Sequence, residues 1–178
     1  MRIISGKYRG KHILTPGNLP VRPTTDFAKV GLFNILKNLV DFETVSVLDL
    51  FSGTGNISYE FFSRGAVKIT AVESNIRCVA FIQKTIQDLR ADNLSVIRGD
   101  IFRYLSKSTE TFDIIFADPP YQLETIEEIP HLIFQEKKLN KNGWFILEHS
   151  KRYNFSGHPF FNQQRAYGNV NFSFFRQG

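Results

Sequence analysis

The stretch "VSVLDLFSGTG", Val45 to Gly55, decides the fold. A β-branched apolar run meets an acid, Asp49, and then breaks into a turn with two glycines. Such a run suits a strand buried on both faces, as in a parallel sheet covered by helices. The same rhythm repeats downstream. "NISYEFFSRG" (56–65) predicts a helix stopped at Gly65, "VKITAVE" (67–73) a strand, and "NIRCVAFIQKTIQDL" (75–89) a helix. "LSVIRGD" (94–100) and "FDIIFADPP" (112–120) predict two more strands. "LETIEEIPHLIFQEKKL" (123–139) predicts a helix broken in its middle by Pro130, and "GWFILEHS" (143–150) a strand that Trp144 opens as a core residue. The tail, "FNQQRAYGNVNFSFFRQG", predicts an antiparallel pair of strands around Gly168. Strands alternating with helices imply an α/β fold, Rossmann-like, with a mostly parallel sheet.

Ligands of open α/β sheets bind at the carboxyl ends of the strands. There the first four strands place Asp49, Glu73, Asp100 and Asp118. Any one acid at such an end can be a helix cap, but four with a glycine turn between them point to a ligand site. "GTGNIS" (Gly53–Ser58) is similar to a dinucleotide fingerprint without its third glycine. Gly53 and Gly55 permit a tight turn and close approach of a ligand. Glu73 stands 18 residues beyond Gly55, where an acid can accept hydrogen bonds from ribose hydroxyls. No Lys or Arg lies in the turn to meet a pyrophosphate, and Asp49 would repel one. An acidic site of this kind suits a sulfonium carrying an ammonium group, so the expected cofactor is S-adenosyl-L-methionine and not NAD.

The strand ending "DIIFADPPYQLE" (113–124) carries the second half of the site. Pro119 has no N–H and a fixed φ, and Pro120 restricts Pro119 in turn. The Asp118 carboxylate and the Pro119 carbonyl can then form a rigid pair of acceptors. A planar exocyclic amine offers two matching N–H donors, and its delocalised lone pair needs such positioning to react. Tyr121 offers a face on which a base can stack. Asp118, Pro119, Pro120 and Tyr121 are the candidate catalytic residues.

The charge is unevenly spread. Over the 178 residues the net charge is +5, but residues 1–40 carry +6, residues 41–150 carry −5 and residues 151–178 carry +4. Basic ends around an acidic centre suggest nucleic acid at the ends. "RIISGKYRGKHIL" (2–14) predicts a basic β-hairpin, and "TTDFAKVGLFNILKNLV" (24–40) a helix capped at Thr24 or Thr25 with Phe27, Leu32, Phe33, Ile35, Leu36 and Leu39 on its apolar positions. The expected division is a basic nucleic-acid-binding extension over 1–40 and a catalytic domain over 41–178. The one cysteine, Cys78, lies in a helical run and is expected in the core of a protein from a reducing compartment. His12, His131, His149 and His158 show no metal-ligand spacing. No charged-then-apolar leader and no apolar run of ~18 residues occurs, so a cytoplasmic protein without a membrane span is expected.

"DLFSGTG", "VE", "GD" and "DPPY" resemble the successive motifs of class I S-adenosylmethionine-dependent methyltransferases that act on amines. With "RIISGKYRGKHILTP", "RPTTD", "LFNIL", "SRGA" and "YGNVNFSFFR", the chain resembles the bacterial 16S rRNA guanine-N2 methyltransferase family, of small-subunit methyltransferase D type, over nearly its whole length. The resemblance implies a seven-stranded sheet with an antiparallel last strand, a monomer, and 16S rRNA or the assembling small subunit as partner. It implies that Asp49, Gly53 and Gly55 cradle the methionine part of the cofactor, Glu73 its ribose and Asp100 its adenine amine, with Phe51, Ser74 and Ile101 beside them. Asp118 through Tyr121 would hold a flipped guanine, and Arg2, Lys7, Arg9, Lys11 and Arg22 would meet rRNA phosphates. Phe27, Gly31 and Thr85 depart from the family pattern of Arg, a longer polar residue and Asn. A DNA adenine-N6 methyltransferase, a methyltransferase of another RNA, of glutamine or of a small molecule, and a non-catalytic RNA-binding protein are the alternatives.

Overall fold

A computed structural model describes residues 1–17, 19 and 24–177. Its elements are α1 (Asp26–Leu36), β1 (Ser46–Leu50), α2 (Asn56–Ser63), β2 (Lys68–Glu73), α3 (Ile76–Leu89), β3 (Leu94–Arg98), α4 (Ile101–Lys107), β4 (Phe112–Ala117), α5 (Glu128–Gln135), β5 (Leu139–His149), β6 (Phe161–Tyr167) and β7 (Val170–Phe175). The strands form one seven-stranded sheet in the order β3-β2-β1-β4-β5-β7-β6. Strands β1 to β5 pair in parallel, and β7 inserts antiparallel between β5 and β6. The fold is thus the Rossmann-like α/β sheet with an antiparallel last strand. Strand order reverses at β1 and β4, which creates a crevice beyond their carboxyl ends.

The central strands feed two cores, because successive side chains point to opposite faces. Val47, Ile69, Ile114, Phe116, Trp144, Ile146, Phe172 and Phe174 pack on one face with residues of α1, α2 and α3. Leu48, Leu50, Val72, Ile115, Phe145, Leu147 and Phe175 pack on the other with α4 and α5. Cys78 is buried, as expected. Ile3 and Ile13 of the N-terminal arm belong to the first of these cores, together with Leu32, Phe33 and Leu36 of α1.

Several expectations need correction. The N-terminal segment folds back on itself as a short, irregular hairpin: one antiparallel bridge joins Arg2 and His12, Ile3 N–H meets Lys11 C=O (3.0 Å) and Ile13 N–H meets Met1 C=O (2.9 Å), with turns between them. Its backbone is held by α2 as well. Glu60 accepts the amides of Ile4 (2.9 Å) and Ser5 (3.1 Å), and Ser63 accepts Lys7 N–H on its carbonyl (2.7 Å) and Tyr8 N–H on its hydroxyl (2.9 Å). Phe27 does not face the core; it is 67% exposed, edge-on to Tyr167. Gly31 gives Tyr167 its seat, since a Cβ there would lie 2.2 Å from the tyrosine ring. Helix α5 starts at Glu128, so Pro130 sits in its first turn, where a missing N–H costs no helical bond. A short helix, α4, follows β3 and had not been anticipated. Strand β5 begins at Leu139, four residues before Gly143, across a register shift against β4.

Gly6 makes the arm's docking specific. It has φ +81°, and a Cβ there would fall 1.9 Å from the Ser63 carbonyl oxygen. Gly10, at φ +83°, has open space around it. Gly6→Ala should therefore cost about 2–4 kcal/mol and free the arm to protease, while Gly10→Ala should cost only the backbone strain of about 1 kcal/mol. Urea unfolding and limited proteolysis of both variants check this; equal losses would contradict it.

Candidate active site

The side-chain alternation that builds the two cores also sorts the acids. Asp49 shares a face of the sheet with Val47, Glu73 with Ile69, and Asp118 follows Ile114 and Phe116 on that same face. Glu148, two residues after Ile146 on β5, falls on it as well. Four carboxylates therefore stand on one face at the carboxyl edge of four adjacent strands, β2, β1, β4 and β5. A cavity of about 560 Å³ opens there, lined in part by Asp49, Phe51, Gly53, Glu73, Ser74 and Asp118 through Tyr121.

The glycine turn is shaped by left-handed backbone. Phe51 (φ 58°), Gly53 (φ 54°) and Gly55 (φ 80°) all lie in that region. A non-glycine there is uncommon and marks a conformation that its surroundings impose. Glu73 supplies one such restraint: its carboxylate accepts Gly53 N–H at 2.8 Å and Asn75 N–H at 2.7 Å. Ser74 Oγ also reaches the oxygen that Asn75 meets, at 3.5 Å. The acid at the end of β2 thus clamps the turn after β1, and the oxygen that accepts Gly53 keeps a lone pair for a ligand. A Cβ on Gly55 would strike the Tyr59 ring at 2.7 Å.

The remaining acids have few partners: Asp49 and Glu148 are buried and Asp118 is half-buried. Asp49 accepts a hydrogen bond from Ser58 Oγ at 2.6 Å. Burial pushes its carboxyl up to about 7; the Ser58 bond opposes the rise and the Glu73 charge adds to it. Burial likewise lifts Glu148 to about 7, against the opposing bond from Thr24 Oγ1 at 3.2 Å. Asp118 is raised well above the ordinary carboxylate range by burial, then by the charges of Glu148 and Asp49. Such a site favours a cation, which would restore the ionised forms.

Not every candidate lies on the cavity. Asp100 and Ile101 are off its lining: Asp100 caps α4 by accepting Arg103 N–H at 2.9 Å, and Ile101 is buried in the second core. Gly55 does not line it either, but Thr24, Thr54, Asn56 and Ile57 around the turn do. Arg2, Lys7, Arg9 and Lys11 are all exposed on the arm, and Arg22 lies outside the described residues. Arg2 meets Asp26 at 3.5 Å, while Lys7 and Lys11 sit over the Tyr8 ring. Two polar residues escaped the sequence reading. Glu148 follows the strand-end rule already applied to four other strands. Lys29 reads as a surface charge of α1 but is buried, donating to Arg2 C=O (2.6 Å) and Asn56 Oδ1 (2.8 Å), 3.6 Å from Glu60.

Glu148 gives a pH signature. Facing it are Asp118, Asp49 beyond, and the Thr24 hydroxyl. Unfolded, it would titrate at about 4.3; folded, it does so at about 7. The folded state binds the extra proton between these values, so stability from this group falls as pH rises through that window. Glu148→Gln should gain on the order of 1–3 kcal/mol over the parent at pH 8, and little at pH 4.5. Unfolding at both pH values checks the sign; a gain confined to pH 4.5 would contradict it.

The family described as "Conserved hypothetical protein 95" matches residues 1–176. The ribosomal RNA small subunit methyltransferase D of Buchnera aphidicola is 31% identical over 154 residues, 86% of this chain and 78% of its own. A solved structure of a methyltransferase candidate from Escherichia coli, yhhF, superposes with a TM-score of 0.85 at 27% identity, covering 99% of this chain and 97% of that one. An RNA methyltransferase from Salinibacter ruber, solved with S-adenosyl-L-homocysteine, shares the fold at 15% identity (TM-score 0.67, 87% and 93% covered). With a family match over residues 1–176 and a relative 31% identical that it covers to 78%, the chain belongs to the small-subunit ribosomal RNA methyltransferase D family.

Proposed function

We propose that the protein transfers a methyl group from S-adenosyl-L-methionine to the exocyclic N2 amine of one guanine in 16S rRNA. The observation that carries this reading is the common face of Asp49, Glu73 and Asp118 at the switch point, opening into one cavity with Pro119 to Tyr121. When bound, the cofactor supplies a methyl group on a cationic sulfur that leaves as a neutral thioether. Asp49, low in the crevice, suits the cofactor's positive end. The turn from Phe51 to Gly55 allows close backbone approach, and Glu73 has a lone pair left for a ribose hydroxyl. Ser74 lines the same cavity, while Asp100 and Ile101, one and two residues beyond the Gly99 amide that bonds Glu73 C=O at 3.0 Å, would border the adenine.

Asp118 and the Pro119 carbonyl would accept the two N–H groups of the target amine. This holds the nitrogen in line and stabilises the positive charge it develops. Tyr121, 65% exposed, is free to stack on a flipped base. Residues 1–40 would form the RNA-binding extension and 41–178 the catalytic domain, in a monomeric, cytoplasmic protein. The exposed Lys7, Arg9 and Lys11 lie on the arm that α2 anchors, with the exposed Arg2 at its start; Arg22, outside the described residues, is a further proposed phosphate contact.

Mass spectrometry of 16S rRNA from cells with and without the gene tests the reaction. One N2-methylguanosine should vanish with the gene; its persistence would refute the reading. The division of labour has its own test. Each phosphate contact lowers log affinity by about 0.7–0.9 per log unit of salt. Replacing Lys7, Arg9 and Lys11 with Ala should flatten the salt slope of rRNA binding by roughly 2–3 and leave cofactor affinity unchanged. An unchanged slope in filter binding would reduce the arm to a structural cap.

A further inference from the structure

The reaction proposed above uses Asp118 but leaves its neighbour without a task. Ala117 pairs with Leu147 between β4 and β5, so Asp118 and Glu148 stand side by side at the next register position, on one face. Glu148 is only 7% exposed, and among the described residues it has no cationic partner; the Thr24 hydroxyl is its one hydrogen-bond donor. Thr24 itself lines the main cavity. Glu148 also lines a small hollow shared with Asp118, Pro119, Pro120 and Tyr121, the segment that would seat the target base.

A buried carboxylate and a half-buried one side by side repel each other, and each pays for leaving water. A purely structural role at position 148 would be filled at lower cost by an amide or an apolar side chain. The pair becomes favourable when a row of donors lies against it. The Watson–Crick edge of guanine is such a row: the N2 amine with its two hydrogens, and N1–H next to it. Adenine places an unprotonated N1, a lone pair, beside its amine. We infer that Glu148 selects guanine, accepting the N1–H of the target base while Asp118 accepts one hydrogen of its N2 amine. Adenine would turn a lone pair toward the carboxylate, and a site built for a donor rejects such a partner strongly. Thr24 fixes the orientation of the Glu148 carboxylate from the loop that precedes α1.

The inference rests on the guanine-N2 reading, and its test separates the two. The substrate is a small-subunit rRNA fragment containing the methylated nucleotide, made once with guanosine at that site and once with 2-aminopurine. The latter keeps the amine at C2 but carries a lone pair at N1. Single-turnover methylation by the parent protein should favour guanosine by about 100-fold or more. Glu148→Gln can turn its amide NH₂ toward an unprotonated N1, so it should lose rate on guanosine, gain on 2-aminopurine and bring the two within about 10-fold. Glu148→Asp, which keeps the charge on a shorter arm, should lose rate on guanosine with no gain on 2-aminopurine. Calorimetric affinity for S-adenosyl-L-homocysteine should be unchanged in both variants. A Gln variant that slows both substrates equally, or an Asp variant that gains on 2-aminopurine, would overturn the role of Glu148 and leave the guanine-N2 reading intact. A parent protein that methylates neither substrate would sink the guanine-N2 reading itself, and the selection with it.

Discussion

The period of a β-strand governs this molecule. Side chains two apart share a face, and the parallel register of β2, β1, β4 and β5 aligns those faces across the sheet. That single constraint fills one core with Val47, Ile69, Ile114, Phe116 and Ile146. It then delivers Asp49, Glu73, Asp118 and Glu148 to the same face two or four residues later. A one-residue slip of any of these strands would bury its acid in the opposite core and expose an apolar residue to the crevice. The fold and the site are therefore specified together.

The acids are expensive to hold. Asp49, Asp118 and Glu148 are all pushed toward their neutral forms by burial, and no Lys or Arg pairs with them among the described residues. Glu60 shows the opposite solution, fully buried but held by Arg64 at 2.9 Å, Lys29 at 3.6 Å and two backbone amides of the arm. One carboxylate cluster is compensated and anchors structure; the other is left uncompensated, as a site for a cationic ligand and a donor-rich base would be. The two are joined through polar contacts. Lys29 donates to Asn56, Asn56 Nδ2 donates to Thr24 C=O at 3.1 Å, and the Thr24 hydroxyl reaches Glu148. The arm that meets RNA in our reading is thus built on the same framework as the pocket.

Most of the sheet was legible in the sequence because "VSVLDLF", "VKITAVE", "FDIIFA" and "GWFILEH" are apolar runs bounded by turns and acids. The candidate site was legible in part: Asp49, Glu73 and Asp118 at strand ends need no long-range information, but Asp100 and Ile101 fall off the cavity lining and Glu148 was missed. What escaped depends on partners distant in the chain. The arm alternates like a hairpin and its ends do pair, but the amides of Ile4 and Ser5 go to Glu60, more than 50 residues away, and nothing local reveals this. Lys29 looks solvated until Glu60 and Asn56 are seen beside it. Helix α4 is seven residues long and buries only Ile101 and Leu105, too little for a period to emerge. Phe27 fits an apolar helical position, yet Tyr167 draws it to the surface, and only Gly31 leaves room for that ring.

The central claim, that this edge of acids aligns a guanine amine with a methyl donor, is tested most directly with purified components. The protein would be mixed with S-adenosyl-L-methionine carrying an isotopically labelled methyl group and with unmethylated small-subunit rRNA, free or assembled, and the digested nucleosides identified. The account predicts label in N2-methylguanosine at a single site. It also predicts a much larger loss for Asp118→Ala than for Asp118→Asn, which keeps one acceptor oxygen. Label in N6-methyladenosine, or no transfer to RNA in either form, would contradict it.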